Sequence, residues 1–367
     1  MKEKLHIVQI VEKLEVGGLE RLAVDLAVAQ KAAGHSPSMY CIFSRGPLAV
    51  EAETAGVPVS NFAKQPGFSP RTIQSLAHRL RLDRADVVHT HSSGIHHYGV
   101  LAARMAGVPL VVNTRHGLGT LHIPIRQNLY FRATMPFTNA VVFVAEAARR
   151  FFVERRGVPA RKAHVILNGI PLEKFLGYQA TPGNLHPRIR FGTVGRLVKA
   201  KAHSVLLEAF ARIAPRLPHA ELHIYGGGEL LETLRNQVEK LGLAGRVVLA
   251  GPTNRTREVL AEMDIFVLSS ISEGLPVAVQ EAMAIGLPIV TTRVGGVSEI
   301  APERDVAWYC EPGNPVALAQ VMEKAANSDR LGAMGCNARK IASSRFDISH
   351  TQAGYAALFQ NLLERRS

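Results

Sequence analysis

The chain has 367 residues and a formal net charge of +13 at pH 7. Its length exceeds what one hydrophobic core usually supports, so two domains are expected. Its three cysteines, Cys41, Cys310 and Cys336, form no CxxC pair and no His/Cys cluster at ligand spacing, which argues against structural zinc and favours a reducing compartment. No apolar stretch reaches spanning length and no secretory signal precedes the first strand, so we expect a cytoplasmic protein, or a peripheral one on the cytosolic face of the inner membrane.

Short apolar runs alternate with segments of helical period along the whole chain. This order of elements predicts an α/β protein whose parallel sheets are covered on both faces. Two doubly wound, Rossmann-like sheets of this kind would face an interdomain cleft at their strand C-termini, where ligands bind in such sheets. The strands are expected near 6–11, 38–43, 57–62, 86–90, 110–114, 140–144 and 164–167 in the first half, and near 189–194, 220–225, 246–249, 264–268, 288–292 and 307–310 in the second.

The domain boundary is marked by a lapse in periodicity between Glu173 and Arg190, where Pro182, Gly183 and Pro187 lie close together. We therefore predict a first domain at 1–172, a linker at 173–190 and a second domain at 191–348. The last helix, at 349–367, is a candidate to pack back on the first domain.

Two loops of the first domain carry candidate ligand contacts. Gly17 and Gly18 follow the first strand, and glycine lets the backbone approach a ligand, although a tight turn alone would also explain the pair. His116 and Gly117 follow the strand at 110–114. A lone histidine after a strand is more often structural than catalytic, but a glycine after it at the strand's C-terminal end favours a functional role.

In the second domain, Arg196 and Lys201 follow the first strand, at a separation of five residues. Two cations at a strand end suit a diphosphate, although two basic residues that are exposed on the surface and bind no ligand would give the same sequence pattern. Each charge pair near a protein surface is worth about 4 kcal/mol before desolvation, enough to replace a metal ion at a leaving group. No acidic cluster in the sequence demands a metal.

The most informative segment is SEGLPVAVQEAMAIGLP at 272–288. Pro276 suits the first helical turn, where a missing N–H costs nothing, and Gly286 suits the helix end. The helix N-terminus would present free amides and a partial positive charge beside Glu273, with Glu281 inside the helix. The segment therefore predicts a site for a phosphorylated ligand beside two carboxylates.

The net charge has two interpretations. It could reflect a solvated basic surface without a specific partner, or contact with a membrane. In the segment 146–162, clustered basic residues flank Phe151, Phe152 and Val153, as in an interfacial helix on anionic lipid. A second segment, 122–137, also mixes arginine with apolar side chains, and core packing is the favoured interpretation there. Nucleic acid is disfavoured, because no known binding motif accompanies the charge. The basic residues of the first segment are Arg149, Arg150, Arg155, Arg156, Arg161 and Lys162.

Several motifs occur together in a recognisable order. The second half contains VGRLVKAKAHSVLLEAF at 194–210 and, within 266–292, the pair Glu273-x7-Glu281. The first half contains VGGLERLAVDLA at 16–27, AGH at 33–35, DVVHTHS at 86–92, TRHG at 114–117 and VILNGIPLEKF at 165–175. Over nearly its whole length the chain thus resembles the retaining glycosyltransferases of family 4, which have the GT-B fold.

The resemblance implies a role for each matching position. Glu281 would hold the ribose hydroxyls of a nucleotide-sugar, and Glu273 would grip the transferred sugar and its phosphate together with the amides of Gly274 and Leu275, next to Pro276. Arg196 and Lys201 would neutralise the departing nucleoside diphosphate without a metal or other cofactor. His116 would lie over the sugar on the acceptor side, Gly18 would allow close approach to the phosphates, and the loops at Gly226 and Gly251 would line the base pocket. The chain departs from the family pattern at Ala202, where glycine usually follows the lysine, so this loop is expected to sit slightly differently.

The function implied is transfer of a sugar from a UDP- or GDP-sugar to a growing surface glycan on a lipid carrier, such as lipopolysaccharide, capsule or exopolysaccharide. Two alternatives remain open on the sequence. A nucleotide-sugar 2-epimerase uses the same two-domain shell, although other His and Asp signatures would then be expected. A non-catalytic sugar-binding protein of two α/β lobes would normally carry an export signal.

Overall fold

The computed structural model describes residues 4–117, 125–180 and 188–365. The chain divides into two compact units. The first unit comprises Met1–Ile170 and Ile348–Ser367, and the second unit comprises Pro171–Asp347. The residues 173–180 of the expected linker belong to the second unit, where the amide of Ala180 donates to the carbonyl of Ile285 at 3.0 Å. The residues 181–187 lie outside the described residues.

The first unit is built on a seven-stranded parallel sheet of order β3-β2-β1-β4-β5-β6-β7. Its central strands are largely apolar and buried on both faces, as expected where helices cover a parallel sheet. The strands are β1 (His6–Lys13), β2 (Ser36–Ser44), β3 (Val59–Asn61), β4 (Val87–Thr90), β5 (Leu110–Arg115), β6 (Ala140–Phe143) and β7 (Ala163–Val165). The helices are α1 (Gly18–Ala32), α2 (Leu48–Thr54), α3 (Pro70–Leu82), α4 (His96–Ala106), α5 (Ile125–Thr134) and α6 (Glu146–Arg156).

The second unit is built on a six-stranded parallel sheet of order β10-β9-β8-β11-β12-β13. In each sheet the strand order reverses beside the first strand, which is the mark of a doubly wound sheet. The strands are β8 (Arg190–Val194), β9 (Glu221–Tyr225), β10 (Val247–Gly251), β11 (Ile265–Leu268), β12 (Ile289–Thr292) and β13 (Ala307–Cys310). The helices are α7 (His203–Ile213), α8 (Leu231–Lys240), α9 (Thr256–Ala261), α10 (Val277–Ile285), α11 (Val297–Ile300), α12 (Pro315–Ala326) and α13 (Leu331–Arg345).

The last helix, α14 (Ile348–Glu364), belongs to the first unit. Its Tyr355 and Phe359 are buried in one cluster with residues of β1 and β5. The Tyr355 hydroxyl lies 2.7 Å from Thr114 Oγ1, and Thr351 Oγ1 donates to the carbonyl of Leu167 at 2.9 Å. The first unit is thus completed by the end of the chain.

The two segments considered for membrane contact differ from expectation. On α6, Phe152 is only 2% exposed and is not available for insertion into lipid, while Phe151 and Val153 are partly buried against the same core cluster. On α5 the expected core packing holds for Phe131, but Leu129 and Tyr130 are 63% and 44% exposed. In the first segment the structure thus removes Phe152 from a face on lipid, and core packing explains only part of the second segment. The residues 122–124 of the second segment lie outside the described residues.

Candidate functional site

The second unit brings Lys201 and Glu273 into direct contact. Lys201 ends a 3₁₀ turn after β8, and Glu273 lies in the loop after β11. Because β8 and β11 are neighbours in a parallel sheet, the loops at their carboxyl ends meet. Lys201 Nζ lies 2.6 Å from Glu273 Oε1, and Ser270 Oγ donates to the same oxygen at 2.6 Å. The two charged side chains are 22% and 11% exposed, so the ion pair is mostly shielded from water.

Helix α10 begins beside Glu273, as the sequence predicts. Pro276 is the residue that precedes the first helical residue, one position earlier than expected, and no side chain caps this end. The amide of Val279 already donates to the carbonyl of Pro276 at 3.1 Å, so the helix geometry makes the amides of Val277 and Ala278 the first-turn groups available to an anion. Glu281 lies half-buried farther along α10, and Gly286 ends the helix in the left-handed conformation at φ 92°.

The loop that carries Glu273, Gly274 and Leu275 is held in place by the backbone of Gly295 and Gly296. The amide of Gly296 donates to the carbonyl of Gly274 at 2.7 Å. A Cβ atom at Gly295 would lie 2.3 Å from the carbonyl oxygen of Glu273, so only glycine allows this close approach. The backbone around Glu273 is therefore fixed by glycines that sequence reasoning did not single out.

Three further loops meet at the carboxyl edge of the second sheet. The amide of Gly226 donates to the carbonyl of Gly251 at 2.8 Å, and the amide of Gly195 donates to the carbonyl of Tyr225 at 2.9 Å. A Cβ atom at Gly226 would lie 1.8 Å from the carbonyl oxygen of Gly195. The predicted residues Gly226 and Gly251 are thus in contact, while the neighbouring Arg196 has an exposed side chain.

Ala202 shows how this chain accommodates its departure from the family pattern. It has φ 49° and ψ 40°, the left-handed region that glycine enters readily and that other residues enter at a cost of roughly 1–2 kcal/mol. Ala202 is 9% exposed and directly precedes α7. The backbone therefore keeps the conformation for which glycine is suited, although the side chain is larger.

In the first unit, Gly18 is the first residue of α1, and a Cβ atom there would meet nothing within 4 Å. His116 follows β5, and its Nε2 lies 3.0 Å from Nδ1 of His91. Burial, together with the nearby charge of Arg115, lowers the pKa of His116 to about 4. The imidazole is therefore neutral at pH 7. These two predicted residues and those around Lys201 belong to different units.

Sequence reasoning missed two kinds of supporting residue. Ser270 holds the carboxylate of Glu273, and Gln9 and His91 lie behind His116. The signal for Gln9 was a polar residue inside a strand that is otherwise apolar, whereas Ser270 and His91 follow the ends of β11 and β4. Within the described ranges 4–117, 125–180 and 188–365, no group of three or more His, Cys, Asp or Glu side chains could hold a metal ion.

The comparisons with known proteins agree with this fold. The model of the Glycosyltransferase Family 4 matches residues 16–174, and the model of Glycosyl transferases group 1 matches residues 182–341. A UDP-Gal:alpha-D-GlcNAc-diphosphoundecaprenol alpha-1,3-galactosyltransferase of Escherichia coli is 28% identical over 76% of either chain. A GDP-mannose-dependent alpha-(1-6)-phosphatidylinositol monomannoside mannosyltransferase of Mycobacterium tuberculosis is 28% identical over 66% of this chain and 68% of its own. A phosphatidylinositol N-acetylglucosaminyltransferase component of Arabidopsis thaliana is 30% identical over 67% of this chain, which spans about half (55%) of that protein.

Solved structures share the fold over the whole chain. HepE of Anabaena, crystallised with UDP and glucose, has a TM-score of 0.86 at 21% identity and covers 97% of this chain and 99% of its own. A sucrose-phosphate synthase of Thermosynechococcus elongatus has a TM-score of 0.81 at 18% identity over 98% of this chain and all (100%) of its own. These matches confirm the GT-B fold that the sequence predicts. Two family models that together span most of the chain, and relatives named as sugar transferases, lead to one conclusion: the protein belongs to glycosyltransferase family 4 and is a hexosyl-type glycosyltransferase.

Proposed function

We propose that this glycosyltransferase moves a sugar from a UDP- or GDP-sugar to a hydroxyl of a growing, lipid-linked surface glycan, with retention of the anomeric configuration and without a metal. The observation that carries the proposal is the contact of Lys201, Glu273 and Ser270 beside the uncapped N-terminus of α10. A cation and free amides at one point suit a leaving diphosphate, and a carboxylate next to them suits the hydroxyls of the sugar.

Each residue then has a role in the transfer. Lys201 and Arg196 neutralise the diphosphate, while Glu273 and the amides of Gly274 and Leu275 hold the sugar and its phosphate. Negative charge grows on the leaving diphosphate in the transition state, so interactions with that group lower the barrier more than equal binding of the ground state would. In the free protein Lys201 is neutralised by Glu273, so a bound diphosphate would compete for the ammonium group.

The remaining predicted residues hold the rest of the donor and the acceptor side. Glu281 binds the ribose hydroxyls, Gly226 and Gly251 line the base pocket, and Pro276 starts the helix without a competing cap. Gly18 and His116 act from the first unit, with His116 over the transferred sugar.

Two observations support the substrate classes. The relatives are named for UDP-galactose and for GDP-mannose, and HepE has been crystallised with UDP-glucose at 22% identity, so both nucleotides are candidates. The names of the relatives from Escherichia coli and Mycobacterium tuberculosis both describe lipid-linked acceptors. A glycan on a lipid carrier, as in lipopolysaccharide, capsule or exopolysaccharide synthesis, is therefore the proposed acceptor.

The donor assignment is tested by thermal shift with UDP-, GDP-, ADP- and dTDP-sugars, followed by transfer assays. A ligand at one hundred times its dissociation constant adds about 2.7 kcal/mol to the free energy of unfolding, so one nucleotide class should raise Tm clearly. With that donor, turnover should persist in EDTA, and NMR of the product should show the donor's anomeric configuration.

Three results would contradict the proposal: no shift with any donor, loss of turnover in EDTA, or an inverted product. Formation of a C2-epimer from a UDP-sugar without acceptor would instead support the epimerase alternative.

Contact with an anionic membrane surface is the second part of the proposal. Arg150 and Arg155 are exposed on α6, and Leu129 and Tyr130 are exposed on α5, so charge and apolar surface both occur in this unit. No helix within the described residues is long and apolar enough to cross a bilayer. Binding would therefore rest on surface charge, at about 1 kcal/mol per basic residue near an anionic membrane.

Charge reversal tests this membrane contact. Changing Arg149, Arg150, Arg155 and Arg156 to glutamate should weaken sedimentation with phosphatidylserine vesicles by at least about 100-fold, because four attractive contacts become repulsive. A control with four exposed basic residues of the second unit reversed should bind as the unaltered protein does. Equal sedimentation of both variants would contradict the proposal. The control residues are Arg212, Lys324, Arg330 and Lys340.

A further inference from the structure

A chain of hydrogen-bonded side chains crosses the first unit and ends at His116. Gln30 on α1, Gln9 on β1 and His91 after β4 are each no more than 1% exposed. Gln9 Nε2 donates to Gln30 Oε1 at 2.8 Å, and Gln9 Oε1 is hydrogen-bonded to His91 Nε2. His91 Nδ1 then lies 3.0 Å from His116 Nε2. No substrate could touch the first three groups directly, since they are covered.

The orientation of the Gln9 amide determines which group donates in each of these hydrogen bonds. With the amide nitrogen of Gln9 on Gln30 and its oxygen toward His91, as the structure orients the two amides, the oxygen accepts and His91 Nε2 carries the hydrogen. A neutral imidazole has one N–H, so His91 Nδ1 is an acceptor and takes its hydrogen bond from Nε2 of His116. His116 is then left with a lone pair on Nδ1.

This reasoning requires both imidazoles to be neutral, and their surroundings ensure it. Burial holds the pKa of His91 well below its ordinary value, with a further contribution from His89 and His116. Burial and the nearby Arg115 likewise depress the pKa of His116. At pH 7 each ring therefore carries one hydrogen, and the hydrogen bonds determine which nitrogen has it.

We propose that Gln30, Gln9 and His91 are positioning residues that hold His116 as its Nε2–H tautomer, so that Nδ1 accepts a hydrogen bond from a hydroxyl of the substrate. His116 Nδ1 is buried and makes no hydrogen bond to any of the described residues, so one acceptor site on this ring remains open. The inference rests on the proposed function, in which His116 meets the transferred sugar.

The tautomer limits the substrate. A lone pair accepts from a sugar hydroxyl but cannot donate to a carboxylate or a phosphate oxygen. The group opposite His116 is therefore a hydroxyl of a neutral sugar, and the carboxylate of a uronic acid is disfavoured at this position. A buried acceptor without its donor is costly, so an analogue that lacks this hydroxyl would bind poorly.

The tautomers are measured by long-range ¹H–¹⁵N NMR on ligand-free protein labelled with ¹⁵N-histidine at pH 7. The signals are assigned by their loss in the His91→Gln and His116→Gln variants. Unaltered protein should show Nε2–H for both rings. A signal for Nδ1–H on His116, or for an imidazolium, would overturn the proposal, and this spectrum alone is decisive even if a variant fails to fold.

Substitutions at Gln9 test the cause. Gln9→Met removes the acceptor, so His91 and His116 should become mixtures of tautomers, and kcat/KM should fall by about tenfold. Gln9→Glu keeps an acceptor and should restore most of both properties. Thr114→Val is the control, because Thr114 is hydrogen-bonded to His89 and Tyr355 and does not belong to the hydrogen-bonded series from Gln30 to His116.

The control should lower Tm but leave the tautomers unchanged and kcat/KM within about twofold, because a lost hydrogen bond away from the chain affects mainly stability. Unchanged tautomers in Gln9→Met would contradict the proposal. Because the spectra need no substrate, they stand even if no nucleotide-sugar is turned over, which would instead count against the proposed function.

Discussion

Replacing Lys201 with methionine is expected to lower kcat/KM for sugar transfer by about 10²- to 10³-fold, the loss typical of removing one group that stabilises charge in a transition state. The side chain keeps its length and apolar stem, so the change removes the ammonium group and little else. Steady-state kinetics with the donor identified by thermal shift would measure the effect. Lys199→Met is the matched control, because Lys199 lies exposed on the same 3₁₀ turn, and its activity should be within about twofold of the unaltered protein.

The ion pair allows stability and catalysis to be separated. In Lys201→Met the carboxylate of Glu273, 11% exposed, loses its cation and keeps the hydrogen bond from the hydroxyl of Ser270, so the free energy of unfolding should fall by about 1–3 kcal/mol. Adding Glu273→Gln removes the isolated charge and should restore stability without restoring turnover. Recovery of turnover in the double variant, or unaltered rates in Lys201→Met, would remove Lys201 from the mechanism.

Gly226→Ala is expected to destabilise the second unit by more than about 3 kcal/mol. The added Cβ atom would lie 1.8 Å from the carbonyl oxygen of Gly195, a distance that backbone atoms do not tolerate, and Gly226 has φ 154°. The loop of Gly195 would have to move, and Lys201, whose side chain passes within 3.7 Å of the position of a Cβ at Gly195, would move with it. Urea denaturation would measure the loss of stability.

The adjacent glycine supplies the control. A Cβ atom at Gly227 would come no closer than 3.3 Å to the Pro252 side chain, so Gly227→Ala should cost less than about 1 kcal/mol. The same urea midpoint for the two variants would show that the contact between Gly226 and Gly195 does not constrain this edge of the sheet.

The strands were predictable because parallel strands buried on both faces give short, continuous apolar runs. Every strand expected from the sequence is present, and most ends agree within two residues. One difference is β3, expected at 57–62 and observed at Val59–Asn61, where Pro58 has no amide hydrogen for the ladder. The end of α10 at Gly286 was also predictable from a local signal, because the left-handed conformation at this position favours glycine.

The candidate site was predictable only as far as it lies in local motifs. The segment around Glu273 predicts its own helix, but the contact of Glu273 with Lys201 depends on the adjacency of β8 and β11, which no local pattern contains. The burial of Phe152 was likewise hidden, because α6 shows the same aromatic and basic residues whether it faces lipid or its own core. The hydrogen bonds behind His116 join four distant points of the sequence, so no local pattern predicts them.

The place of α14 has a consequence for biosynthesis. The strands β1 and β5 leave the ribosome well before Tyr355 and Phe359, which are almost fully buried in one cluster with residues of these strands. Until α14 is synthesised, Leu5, Ile7 and Leu110 lack this cover, so the nascent chain carries an exposed apolar surface while the second unit is being made. Synthesis of α14 is therefore the step that lets the sheet of the first unit complete its core.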